Sequence, residues 1–108
     1  MMLEVFVDNE VHEVEIPEAV LAEGESFFAR IDADLEKGWS VGARFIEQPD
    51  TETRAKIVAD RLLGAIESGN TRMAPLLAGY LVSRLPGLTA VRIDPNGEPL
   101  MTEFWRGR

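Results

Sequence analysis

Strand-like alternation at both ends of the chain, with helical periodicity between them, predicts an α+β fold. The expected order is an N-terminal β-hairpin, three helices and a C-terminal β-hairpin, with one antiparallel sheet packed on one side by the helices. Three observations carry this. Leu3, Val5 and Val7 alternate with Glu4, Phe6 and Asp8. Residues 55–66 place Ala55, Val58, Ala59, Leu62, Ala65 and Ile66 at helical spacing. Ala90-Val91-Arg92-Ile93 alternates again and runs into Asp94-Pro95-Asn96-Gly97, a strong turn signal.

In the first hairpin, Asn9-Glu10 reads as the turn, with residues 11–16 returning. A two-residue loop there sets Val7 against His12, Val5 against Val14 and Leu3 against Ile16, so one face collects apolar side chains. The other face carries the acidic surface Glu4, Asp8, Glu13 and Glu15 around Phe6 and Val11. Pro17-Glu18 opens a helix, since proline and an acid both suit a first turn, and Gly24 interrupts it. Phe27, Phe28, Ile31 and Leu35 continue a helical stripe that Gly38 stops. Residues 38–48 fit no regular element well. Val41, Ala43 and Phe45 offer only a short alternation.

Asp50 or Thr51 is the expected cap of the next helix, with Glu52 in its first turn. Ser68-Gly69-Asn70 ends it. A last helix is expected over 71–85, capped by Thr71 or Arg72 so that Pro75 falls in the first turn. Met73, Leu76, Leu77, Tyr80, Leu81, Val82 and Leu85 leave it little polar surface, which makes it the expected interior post of the fold. Ala74, Ala78 and Gly79 let neighbours approach it closely. Pro86-Gly87 breaks it, and Leu100 to Trp105 is the expected return strand. Pro99 cannot donate to a ladder, so it belongs at an edge or outside the pairing.

The chain has 108 residues, 45% of them hydrophobic and 28% charged, which fits one globular domain over 1–108. With no cysteine, disulfides, thiolate nucleophiles and cysteine-bound metals are excluded. The opening residues are acidic and lack a leader pattern. The longest apolar stretch, 73–82, is too short for a membrane span. A cytoplasmic protein without membrane contact is therefore expected. The net charge of −8 is uneven: residues 1–53 hold fourteen acids against three bases, and residues 54–108 five acids against eight bases. Such a balance disfavours nucleic acid, whose phosphates need a basic field. It favours a basic protein partner, or the basic half of a second copy.

Chemistry finds little support. His12 is the only histidine and lacks clustered ligands, so no metal is expected. Asp32-Ala33-Asp34-Leu35-Glu36 begins like a calcium loop but has Lys37 and Ala43 where glycine and glutamate are needed. No phosphate-binding glycine loop and no Gly-x-Ser-x-Gly turn occur. The two helices flanking 68–70 do not suit a DNA reader, because the second is apolar nearly all round. The expectation is a noncatalytic protein-interaction domain, an adaptor or small regulator without cofactor, forming a homodimer through its less guarded second hairpin. The alternative is a small-molecule binder or minor enzyme with a pocket between helices and sheet. The candidate binding residues are Trp39, Arg44, Tyr80, Phe104 and Trp105.

Overall fold

A computed structural model describes residues 1–41 and 44–107. Strands β1 (Met2–Val7) and β2 (Glu10–Glu15) form the first hairpin. Helices α1 (Glu18–Glu23) and α2 (Glu25–Glu36) follow, then a small hairpin of β3 (Trp39–Val41) and β4 (Arg44–Ile46). Helices α3 (Thr51–Glu67) and α4 (Met73–Arg84) lead to β5 (Leu88–Arg92) and β6 (Glu103–Arg106). The fold is α+β, with helices on one side of a four-stranded sheet of order β2-β1-β5-β6. That sheet is mixed rather than purely antiparallel. Each hairpin is antiparallel within itself, and the two meet where β1 and β5 pair in parallel.

The first hairpin turns one residue earlier than expected. Asp8 takes a positive φ of 56° and the loop is Asp8-Asn9, so Leu3 faces Val14, Val5 faces His12 and Val7 faces Glu10. Aspartate tolerates the left-handed region better than most residues, which lets it displace Asn9-Glu10 as the turn. The slip moves β2 by two positions against β1, an even number, so the apolar face survives. Leu3, Val5, Val7, Val14 and Ile16 are all buried.

Four helices form among the described residues where three were expected, because Gly24 separates α1 from α2. It closes α1 by donating to the Val20 carbonyl and starts α2 by accepting from Phe28. Asp50 caps α3, its Oδ1 accepting from the Thr53 N–H at 2.8 Å. Arg72 is the N-cap of α4, one of the two residues expected, but its side chain makes no capping bond; the Met73 N–H instead donates to Asn70 Oδ1 at 3.0 Å. Asparagine has the short carbonyl that capping needs. Pro75 falls in the first turn, where its missing N–H costs nothing.

Residues 38–48 contain the β3–β4 hairpin, with Gly38 at φ 100° and Gln48 at φ 48° absorbing the reversals on either side. Gly42, Ala43 and Arg108 lie outside the described residues, and with Ala43 goes the middle of the alternation expected there. The return strand starts later than expected. Pro99–Met101 is a 3-10 turn, and pairing begins only at Glu103.

Helix α4 is the interior post. Ala74, Leu77, Ala78, Gly79, Tyr80 and Leu81 are buried, and they join residues from α2, α3 and the inner face of the sheet in one core. Gly79 is the point of closest approach. A Cβ there would lie 2.7 Å from Val20 Cγ1 and 3.1 Å from Phe28 Cζ. No helix among the described residues is long and apolar enough to cross a membrane.

Candidate protein interface

Polar groups of α2, α3 and α4 meet inside the helical layer around Asp32. Tyr80 is fully buried, and its hydroxyl donates to Asp32 Oδ1 at 2.5 Å. Arg84 Nε donates to Asp32 Oδ2 at 2.8 Å, and its two terminal nitrogens donate to the Glu25 carboxylate at 3.0 and 2.8 Å. Arg54 Nε stands 3.4 Å from Asp32 Oδ1. The Arg84 hydrogen bonds hold Glu25 below the usual carboxylate range, and Glu25 in turn raises Arg84. Burial, then the bond to Asp32, pushes the Tyr80 phenol well above its ordinary value. Both oxygens of Asp32 are engaged and the phenol keeps its proton. The cluster joins α2 to α4 and α3. Asp32, which opens the calcium-like stretch, is thus an internal acceptor.

The surface left open is the sheet's other face. Helices cover the side that carries Leu3, Val5, Val14 and Val91. On the opposite side the register lines up Val11, Phe6, Arg92 and Glu103 in one row across the four strands, and Glu13, Glu4, Ala90 and Trp105 in the next. Trp105 stands edge-on to Phe6 with ring centroids 5.6 Å apart, and the Arg92 guanidinium lies 5.6 Å from the Trp105 ring. Val11 is 52% exposed, Met2 50% and Trp105 42%. Glu4, Glu13, Glu15 and Glu103 stand among these residues, all exposed, while Arg92 pairs with Glu103 at 4.0 Å. Each row of this face thus mixes apolar and charged side chains, with the Phe6–Trp105 pair reaching diagonally between the two rows.

A groove of about 660 Å³ runs beside β2, between residues 11–15 and the corner joining α3 to α4. His12, Val14, Ala65, Ile66, Ala74 and Pro75 are among the residues that line it. A second pocket of about 400 Å³ lies where α2 faces α3 and α4, lined by Phe27, Arg30, Ile31, Arg61, Met73 and Leu77 with others.

The five candidate binding residues do not converge. Trp39 sits on the β3–β4 hairpin under the Arg61 guanidinium, 4.6 Å from its ring centroid. It shares a small pocket with Ser40, Ile57, Asp60, Arg61, Gly97 and Pro99. Arg44 is exposed on β4. Tyr80 is sealed in the core by Phe28 and Asp32. Phe104 is half-buried and pairs with Val91, which points toward the helices, and only Trp105 reaches the open face. Of the acidic surface, Glu4, Glu13 and Glu15 lie on that face, and Asp8 makes the turn. Sequence reasoning missed Phe6 and Arg92 as partners of Trp105. The alternation that puts Phe6 on the acidic face was the available signal; the parallel pairing that brings β5 and β6 beside it has none. No family model, curated protein or solved structure matches the chain.

Proposed function

We propose that this chain is a noncatalytic protein-interaction domain that docks a protein partner on the helix-free face of its sheet. The observation that supports it most is the edge-on Phe6–Trp105 pair beside exposed Val11 on the face of the sheet opposite the helical core. That the Asp32 and Glu25 carboxylates and the Tyr80 phenol are hydrogen-bonded to one another and to Arg84 supports a structural role for them, and so a binding role for the chain over a catalytic one. A partner with basic groups beside apolar ones suits the exposed Glu4, Glu13, Glu15 and Glu103.

A homodimer is the second reading, and β6, an outer strand carrying exposed Trp105, is what favours it. The exposed acids work against packing two copies face to face. The pocket among α2, α3 and α4 keeps a small-ligand reading in view, with Arg30 and Arg61 as its cations.

The test is capture of partners by the immobilised chain and by a Phe6→Ser/Trp105→Ser variant of unchanged helicity. Partners retained at low salt and lost by the variant support the reading. Equal capture by both chains removes it. Light scattering of the free chain decides the dimer, with a 12.0 kDa particle at all concentrations counting against it.

A further inference from the structure

Strand β2 is an outer strand of the sheet, and its free side can be read from the hydrogen bonds. Met1 and Ile16 exchange both backbone bonds, Ile16 N–H to the Met1 carbonyl at 2.6 Å and the Met1 amine to the Ile16 carbonyl at 3.2 Å. In an antiparallel ladder such pairs alternate with pairs that exchange none. Leu3–Val14, Val5–His12 and Val7–Glu10 therefore bond across the hairpin, given the observed register. Val11, Glu13 and Glu15 must point their N–H and C=O groups away from β1, toward the groove side.

Natural edge strands are protected by bulges, prolines, inward charges, lysines or a covering element. Strand β2 has none of the backbone devices. Its pairing with β1 is unbroken from Glu10 to Glu15, and the one irregularity in the sheet lies between Leu88 and Ala90. Its protection is charge alone. The whole stretch from residue 1 to 17 carries five acids and no lysine or arginine. Charge of that kind repels a second copy and admits a cationic segment.

We infer that β2 accepts an extended, basic segment of a partner protein as a fifth strand of the sheet. The side-chain pattern follows from the pleat. On the outer face, alternate residues of the added strand lie beside Val11, Glu13 and Glu15 and should be lysine or arginine. The intervening residues point toward the helical layer, into the groove lined by His12, Val14, Ile66 and Ala74, and should be apolar. The groove's volume of about 660 Å³ falls within the range of about 300–1,000 Å³ typical of ligand pockets, enough for several aliphatic side chains. A second copy is the poorer occupant. Pairing β2 with β2 across a two-fold axis sets residues from Val11, Glu13 and Glu15 against one another, and like charges directly opposite are unfavourable.

This inference rests on the reading of the chain as a protein-interaction domain, but it uses a different surface from Phe6 and Trp105. The probes are a short synthetic peptide alternating lysine and valine, and a block peptide of the same composition with its lysines together. The alternating peptide should bind at least about tenfold more tightly, and its affinity should fall with added salt. On binding, amide exchange should slow at Val11, Glu13 and Glu15, whose N–H groups become paired.

Glu13→Pro removes one outward donor while sparing the bonds to β1, as edge positions permit. It should weaken binding about tenfold beyond Glu13→Gln, which removes charge alone. Equal affinity for the two peptides, or unchanged exchange at the three amides, overturns the inference, and both are read on the unmodified chain should the proline variant unfold. A free chain that is already dimeric and becomes monomeric on Glu13→Pro overturns it in favour of a second copy. Partners captured through Trp105 alongside a peptide that fails would sink the fifth strand and leave the interaction reading intact. The reverse pattern sinks the sheet-face reading alone.

Discussion

Asp32 and Glu25 on α2, and Glu4, Glu13 and Glu15 on the first hairpin, are the same chemistry put to opposite uses. The α2 carboxylates are bound on nearly every oxygen, by Arg84, Tyr80 and the nearby Arg54. The hairpin carboxylates stand in water, with no ion pair among the described residues, and Glu4 directly faces Glu13. The first set is held by the fold, and the second is left to solvent or to the basic partner proposed above. The helix-side cluster should therefore be costly to disturb, and the hairpin acids should be nearly free to remove.

Asp32→Ala is the largest expected effect. It leaves the Tyr80 hydroxyl and Arg84 Nε without their acceptor and Arg54 without its neighbouring carboxylate. Breaking a fully buried pair costs about 3–5 kcal/mol. The 22% exposure of the Asp32 side chain lowers the expectation to about 2–3 kcal/mol through solvent screening. Urea unfolding measures it, and a loss under about 1 kcal/mol would erase the contrast. A steric control lies on the same helix layer. Gly79→Leu drives a side chain into Val20 and Phe28 and should cost roughly 1–3 kcal/mol, read as a lowered melting temperature.

Tyr80→Phe is gentler, because Asp32 keeps Arg84 when the hydroxyl goes. A loss of about 1.5–2 kcal/mol is expected, the low end for a hydrogen bond to a charged group, because the Asp32 side chain is partly exposed. Tyr80 is also the only tyrosine, so phenolate absorbance reports on this site alone. Its folded pKa lies above its unfolded value of about 10. The neutral phenol thus stabilises the fold fully below about pH 10, and that contribution is lost as pH rises through the folded value. Phenolate should appear only together with unfolding. Titration near pH 10 in the folded chain would show the site open to water. Glu25 carries the opposite sign: its lowered pKa contributes stability above the ordinary carboxylate value, lost as pH falls through the folded one.

The two regions also differ in how far the sequence disclosed them. The acidic face follows from alternation along neighbouring residues, a local property, and it survived a wrong turn because an even slip preserves the faces. The buried helix over 73–84 was legible for the same reason, since its apolar surround lies in one stretch. The cluster was not. Asp32 and Arg84 are 52 positions apart, and nothing local marks them as partners. Asp32 read instead as the charged flank of a helix. The parallel pairing of β1 with β5, which brings Trp105 to Phe6, is likewise fixed by tertiary packing rather than by either hairpin alone. What periodicity cannot express is which distant elements become neighbours, and the candidate interface depends on that.

Glu13→Lys is the smallest expected effect and the most discriminating. Glu4 and Glu13 form a pair without backbone bonds, the closer of the two kinds of antiparallel pair, at about 4.5 Å between Cα atoms. Replacing one acid by a base turns repulsion into attraction, which should raise stability by roughly 0.2–1 kcal/mol. The same change reverses the charge beside the free edge of β2 and should weaken binding of any basic strand there. A gain in stability coupled to a loss of binding would show that the acids serve recognition at a small cost to the fold. A loss of more than about 1 kcal/mol would instead assign Glu13 a structural role, since isolated surface changes usually stay within about 0.5 kcal/mol. The contrast between the two sets of carboxylates would then collapse.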